Sequence, residues 1–302
     1  MSTLPVNPSA RDTCCSPACC GDTDGRETAA SVARETGAVA RETLAEGTDV
    51  RAVVRERYGR LAAREASAVG CCGGPDLAEQ VLGEVGYSSD QAAAIPEGAN
   101  LGLGCGNPIE WAKPRPGETV LDLGSGAGID CFLAAREVGT TGRVIGVDMT
   151  AAMINRARAN AARGDWPQVE FRLGEIEHLP VADASVDVII SNCVVNLSPD
   201  KAQVFRDAWR TLRPGGRMVV SDLVWLAPLP DPVRRDVDLL VGCVAGASLK
   251  DDYLALIRAA GFRDVEVVHE GRYTVGSGGF AAGSLERQAF DAVASIKVRA
   301  VK

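Results

Sequence analysis

The sequence predicts an α/β fold with a doubly wound, mostly parallel seven-stranded sheet, and three observations carry that prediction. From Thr119 onward, short apolar runs alternate with helix-length segments, as strand–helix–strand units require. The first run leads into a glycine-rich turn, Gly124-Ser125-Gly126-Ala127-Gly128, and then into a helix. The second run closes on Asp148, about 20 residues past that turn, where a carboxylate can accept both hydroxyls of a ribose.

Taken in order, residues 1–47 read as a flexible tail, because large apolar residues are too sparse there to form a core. The tail holds Cys14-Cys15, Cys19-Cys20 and a short repeat, Ala33-Arg34-Glu35-Thr36 and Ala40-Arg41-Glu42-Thr43. Residues 48–66 space Val50, Val53, Val54, Tyr58 and Leu61 as an amphipathic helix. Gly70-Cys71-Cys72-Gly73-Gly74-Pro75 is a loop by its glycines and proline. A short helix at 76–85 follows, and 86–118, rich in Gly, Pro and Ala, reads mostly as loop. Strands are expected at 119–123, 143–147, 169–172, 186–190 and 217–221, with helices at 129–138, 151–163 and 201–212. Arg213-Pro214-Gly215-Gly216 should stop the last helix. A helix at 250–260 and strands at 265–269 and 294–301 complete the pattern. The expected units are the tail, a sheet domain with an N-terminal helical cap at 48–223, and a C-terminal α+β extension at 224–302.

The 302 residues, 46% hydrophobic and 24% charged, suffice for a real core. A net charge of −8 disfavours a nucleic-acid partner, since phosphate binding wants a basic surface. No apolar run approaches the ~20 residues of a membrane span. No basic stretch followed by an apolar one opens the chain, so no signal peptide is expected. Ten cysteines would suit a secreted disulfide scaffold, but such scaffolds are short and lack a large α/β core. A cytoplasmic enzyme with reduced thiols fits better, and such thiols bind soft metals or do redox chemistry.

The glycine loop lies between strand and helix, where the backbone can turn sharply and approach a nucleotide closely. Its glycines alternate, unlike the G-x-G-x-x-G of dinucleotide sites. Residues 119–222 resemble a class I S-adenosylmethionine methyltransferase. The resemblance lies in Asp122-Leu123-Gly124-Ser125-Gly126-Ala127-Gly128, in Gly146-Val147-Asp148-Met149 and in Leu212-Arg213-Pro214-Gly215-Gly216-Arg217. It implies a cofactor site built from Asp122, Gly124, Ser125, Gly126 and Gly128. Asp148 would hold the ribose, Met149 would pack on adenine, and Glu175 and Ile176 would flank it. Asn192 would sit beside the methionine portion.

The cysteines narrow the substrate. Cys193 follows Ser191-Asn192 at a strand's carboxyl end, so it should face the cofactor crevice. Each cysteine alone has a bland reading as a small buried hydrophobe, and Cys131, beside Phe132 and Leu133, is read that way. Glycines around Cys72 and Cys105 predict exposed, bendable loops instead. The runs Ile190-Ser191-Asn192-Cys193-Val194-Val195-Asn196-Leu197-Ser198-Pro199-Asp200-Lys201, Gly104-Cys105-Gly106-Asn107-Pro108 and Cys243-Val244-Ala245-Gly246-Ala247 resemble arsenite methyltransferases. The likeness spans roughly residues 50–302. It implies Cys105, Cys193 and Cys243 as arsenic ligands, with an upstream cysteine, Cys71 or Cys72 and preferably Cys72, assisting loading or redox cycling. Tyr58-Gly59 resembles a family segment over the active site, although Tyr58 also reads as a core-facing aromatic.

Trivalent arsenic is soft and thiolate is its matching ligand. Three sulfurs would leave its lone pair free to take a methyl from a sulfonium. Arsenic carries no proton to remove, so no general base is required, and neither His178 nor His269 stands in a catalytic context. A thiol pair could return the oxidised arsenic to the trivalent state as a disulfide, reset by a thioredoxin-like or glutathione reductant. The implied substrate is arsenite or its thiol conjugates. The competing readings are a methyltransferase of a small organic acceptor and a non-enzymatic metalloid-binding thiol protein. A structural zinc site lacks the repeated C-x-x-C or Cys/His spacing it would need.

Overall fold

The computed structural model describes residues 42–63, 77–273 and 284–302. Cys14, Cys15, Cys19, Cys20, Cys71 and Cys72, and residues 1–41 of the expected 1–47 tail, lie outside the described residues, whereas its end is docked rather than free, Thr43 bridging Asp236 and the Leu44 N–H donating to the Arg235 carbonyl at 2.8 Å. Strands β1 (Thr119–Leu123), β2 (Arg143–Asp148), β3 (Val169–Leu173), β4 (Val186–Asn192) and β5 (Leu212–Trp225) pair in parallel in the order β3-β2-β1-β4-β5. A two-residue β6 (Ser248–Leu249) adds to β5, making eight strands where seven were expected. β8 (Val293–Val301) pairs antiparallel with β5, and β7 (Arg263–Arg272) forms the far edge. Three strands of the sheet, β6, β7 and β8, thus come from the C-terminal segment, and the 223/224 boundary falls within β5.

The central strands are apolar on both faces, as a parallel sheet covered by helices requires. Leu121, Leu123, Ile189 and Met218 face one core layer, which α7 (Lys201–Thr211) and α10 (Lys250–Ala259) cover with Phe205 and Tyr253. Val120, Val144, Val188 and Ile190 face the other, under α5 (Ile129–Val138) and α6 (Ala151–Ala162). A third apolar cluster gathers beyond the carboxyl ends of the strands. There α1 (Val50–Ala63), α8 (Asp231–Arg234), α9 (Val237–Val241) and α11 (Leu285–Asp291) contribute Val54, Val233, Leu239, Leu240 and Ala289.

Three local expectations differ. Residues 86–118 carry two short helices, α3 (Ser89–Ala94) and α4 (Pro108–Ala112), started by Ser88 and Asn107 as N-caps. α7 stops at Thr211, just ahead of Arg213-Pro214-Gly215-Gly216 as expected, but that run itself lies inside β5, which starts earlier than the expected 217. Leu212 pairs with Val186 and Arg217 with Val188, so these residues bulge out of the ladder. The Cys105 loop, expected to be exposed, is buried, with Cys105 itself 3% exposed. Its glycine serves close packing: a Cβ on Gly106 would lie 2.1 Å from Ser221 Oγ and 2.6 Å from Lys297 Cε. Ser295 on β8 also holds the loop, donating its hydroxyl to the Cys105 carbonyl at 2.8 Å.

Candidate active site

The strand order reverses at β1, where chain leaves toward β2 on one side and β4 on the other. Crevices of this kind, outside the carboxyl ends of the strands, bind ligands. Here the crevice is a cleft lined by Asp122, Gly124, Ser125, Asp148, Met149 and Ile176, with Asn192 and Cys193 on its β4 side.

The glycine loop is pinned beneath the cleft. Gly124 and Ser125 donate backbone N–H groups to the Val147 carbonyl at 2.8 and 3.0 Å. Gly124 has φ +69°, and a Cβ there would lie 2.3 Å from Val194 Cγ2, so only glycine fits. The Gly126 N–H reaches Asp148 Oδ2 at 3.0 Å and the Thr150 N–H reaches Oδ1 at 2.8 Å. Burial raises the Asp148 carboxyl above its usual range, and these bonds partly oppose the rise. Ser125 Oγ is buried with no hydrogen-bond partner among the described residues, an unmet polar group in the cleft wall. Gly128 packs beneath the loop without lining the cleft, and Glu175 points instead toward α1, where Arg55 pairs with it at 3.2 Å.

Asn192 joins the cleft to the Cys105 loop. Its amide donates to Gly106 O at 2.7 Å, Tyr87 Oη at 2.9 Å and Asp130 Oδ2 at 3.2 Å, while its oxygen accepts the Cys105 N–H at 3.1 Å. Tyr87 donates in turn to Asp130 at 2.8 Å. Burial pushes Asp130 up to about 6, against these donors, and raises its neighbour Asp122 well above the carboxylate range. Cys131 is wholly buried in the core as expected, its thiol donating to Asp122 at 3.2 Å.

The three cysteines, from distant parts of the chain, come to one side of the cleft, with the Cys243 sulfur outside the 4.8 Å cluster that Cys105, Cys193 and Asp222 form. Cys105 and Cys193 form a disulfide across 88 residues, and the Cys243 thiol donates to the Cys193 carbonyl at 2.8 Å. Cys193 and Cys243 both hold positive φ, at 55° and 62°, a conformation unusual outside glycine that the surrounding structure imposes. Burial, then the nearby Asp222, raises the Cys243 thiol well above its ordinary value. An Asp222 oxygen lies within 4.8 Å of the sulfurs of Cys105 and Cys193. Over the cleft, α1 is clamped by Arg51, whose Nε donates to Glu177 Oε1 at 3.1 Å. Tyr58 lines the cleft and donates to the Val241 carbonyl at 3.1 Å, and its hydroxyl lies close to Cys243.

A family model described as a methyltransferase domain matches residues 114–261. The arsenic(III) S-adenosylmethionine methyltransferase of Chlamydomonas reinhardtii superposes with a TM-score of 0.59 at 35% identity, over 76% of this chain and 75% of that one. The chain belongs to the arsenic(III) S-adenosylmethionine methyltransferase family. Family members also include the arsenite methyltransferase of Halobacterium salinarum, 55% identical over 72% of this chain and 59% of its own length. This chain spans little more than half of the first curated relatives it matches, 59% and 52% of their lengths. A 27-O-demethylrifamycin SV methyltransferase of Amycolatopsis mediterranei is 31% identical over 66% of this chain and 74% of its own. Residues that sequence reasoning missed are Tyr87, Asp130, Glu177, Asp222 and Tyr253. No motif announced them, because each becomes meaningful only when separate elements fold against one another.

Proposed function

We propose that this protein transfers a methyl group from S-adenosylmethionine to trivalent arsenic held by Cys105, Cys193 and Cys243. The observation that carries the reading is the Cys105–Cys193 pair at the carboxyl edge of the sheet, with Cys193 in the wall of the cofactor cleft and the Cys243 thiol against the Cys193 carbonyl, near enough for reduction and arsenic binding to draw the third sulfur in. The residues present fit the cofactor: a glycine loop in which only glycine is accommodated at 124, an unmet Ser125 hydroxyl, and Asp148 at the end of β2. Asp148 would hold the ribose, Gly124, Ser125 and Gly126 the methionine and ribose parts, and Met149 and Ile176 the adenine. Asn192, already committed to protein partners, acts by holding the Cys105 loop against the cleft.

When bound, S-adenosylmethionine supplies an electrophilic methyl on a sulfonium. The protein's part is to hold arsenic in one orientation beside it, an effect worth about 7–11 kcal/mol in well-aligned systems. Three thiolates fix arsenic as a pyramid, and the buried surroundings keep water off the reacting face. Both histidines are exposed, consistent with a reaction that needs no general base. The Cys105–Cys193 disulfide withholds two of the three sulfurs, so a reductant of the thioredoxin or glutathione class opens the site. Arsenite arrives free or as a thiol conjugate, and Cys72 would assist its loading or the redox cycle. A protein that depends on reduced thiols belongs in the cytoplasm.

The test incubates full-length protein with S-adenosylmethionine, arsenite and a thiol reductant, and identifies arsenic species by mass spectrometry. Methylated arsenic that disappears in Cys193→Ser and Cys243→Ser supports the reading. Its absence from the wild type, or methylation that survives both substitutions, refutes it.

A further inference from the structure

In the proposed reaction, positive charge migrates. Arsenic held by three thiolates is neutral, whereas the methyl donor is a sulfonium cation. As the arsenic lone pair forms the As–C bond, the C–S bond breaks and its electron pair stays on sulfur. The donor leaves as a neutral thioether. Arsenic, oxidised by two electrons, is left as a four-coordinate cation bearing three sulfurs and one carbon, and no proton is released. Positive charge therefore grows among Cys105, Cys193 and Cys243, which pack with Leu223, Leu240 and Val244 in one apolar cluster. Such surroundings solvate a cation poorly unless a fixed opposite charge faces it.

We propose that the Asp222 carboxylate is that fixed counter-charge, accelerating methyl transfer without serving as an arsenic ligand. The proposal rests on the arsenic reading above. Asp222 lies on β5 one residue beyond Ser221, which pairs with Asn192, so the sheet register sets it beside the cysteine that follows Asn192. It is wholly buried, and one of its oxygens is within 4.8 Å of both disulfide sulfurs. Three donors fix it: Tyr253 Oη at 3.0 Å on Oδ2, and Asn196 Nδ2 at 2.8 Å and the Leu223 N–H at 3.0 Å on Oδ1. Burial pushes the Asp222 carboxyl up to about 7, while its donors and the nearby Lys201 favour the ionised form, so the anion predominates above that pH. A buried carboxylate is unfavourable for folding. A pre-aimed anion in a dry site is what a transition state gaining positive charge requires.

The test compares wild type, Asp222→Asn and Tyr253→Phe as reduced full-length proteins. Assayed well above pH 7, where Asp222 is ionised, the phenylalanine variant removes a hydrogen bond from the same group while keeping the charge. In single turnover, Asp222→Asn is expected to slow methyl transfer about 10- to 100-fold, less than the loss of a full oxyanion-hole donor because Lys201 stands close and charge transfer is partial. Its arsenite affinity should stay within about threefold, with Tyr253→Phe close to wild type in both. A second readout needs no turnover. Removing the carboxylate should shift the pH profile of Cys243 alkylation, followed by peptide mass spectrometry, to lower pH, while Tyr253→Phe leaves it in place. If the amide does not fold, Asp222→Ser carries the same comparison. An uncharged variant that keeps the wild-type rate, loses arsenite affinity in step with rate, or leaves the alkylation profile unmoved overturns the counter-charge alone. A wild type that methylates no arsenite overturns the arsenic reading beneath it.

Discussion

Replacing Asn192 with alanine cuts the tie between the cofactor cleft and the Cys105 loop. The side chain's bonds to the Gly106 carbonyl and from the Cys105 N–H are neutral and worth about 0.5–1.5 kcal/mol each, and its bond to the Asp130 carboxylate about 1.5–3 kcal/mol. Water does not readily replace them beneath the loop, where Cys105, Gly106 and Asp130 are buried. The expected loss is roughly 3–5 kcal/mol of unfolding free energy. The assay is urea unfolding of reduced protein, read as a lower midpoint at unchanged slope. The loss should be larger at pH 8 than at pH 5, because the bond to Asp130 favours the ionised form, which predominates only above about 6. A loss below about 1 kcal/mol, or one independent of pH, would refute the claim that this amide organises the site.

Three further outcomes follow from the same geometry. Asp130, raised to about 6, and Asp222, raised to about 7, favour the folded state when protonated. That contribution is complete below the ordinary carboxyl range and lost as pH rises through 6 to 7, so Asp130→Asn should lose less stability than wild type between pH 5 and 8 in the same unfolding assay. Gly124→Ala puts a Cβ 2.3 Å from Val194 Cγ2 at φ +69°, and calorimetry should show S-adenosylhomocysteine binding weakened at least about tenfold. Arg51→Ala leaves Glu177, 3% exposed, with the 2.6 Å Ser198 hydroxyl bond on Oε1 as its side-chain hydrogen bond among the described residues. Deuterium exchange across residues 50–63 should rise, whereas exchange in β1 should not.

The alternation from Thr119 onward is legible because the central strands β1, β2 and β4 are buried on both faces and the helices that cover them present apolar residues to the sheet. Those are signals that a single segment carries within itself. The glycine loop and Asp148 were legible for the same reason, since the turn geometry belongs to its own residues. The helices at Ser89–Ala94 and Pro108–Ala112 were not, because five or six residues present no period and are marked only by their caps. Burial of Cys105 was misread from its glycines. Whether a glycine bends a loop or admits a neighbour depends on Ser221 and Lys297, more than a hundred residues away. Asp222 and Asp130 acquire meaning only from Tyr253, Asn196, Tyr87 and Asn192, contacts that the register of the sheet creates.

The central claim concerns which atoms surround arsenic, and X-ray absorption at the arsenic edge on reduced, arsenite-loaded protein reads those atoms directly. Three sulfur neighbours in the wild type, fewer in Cys105→Ser, Cys193→Ser and Cys243→Ser, is the result expected. A shell dominated by oxygen, or a sulfur shell that none of the three substitutions alters, would contradict it.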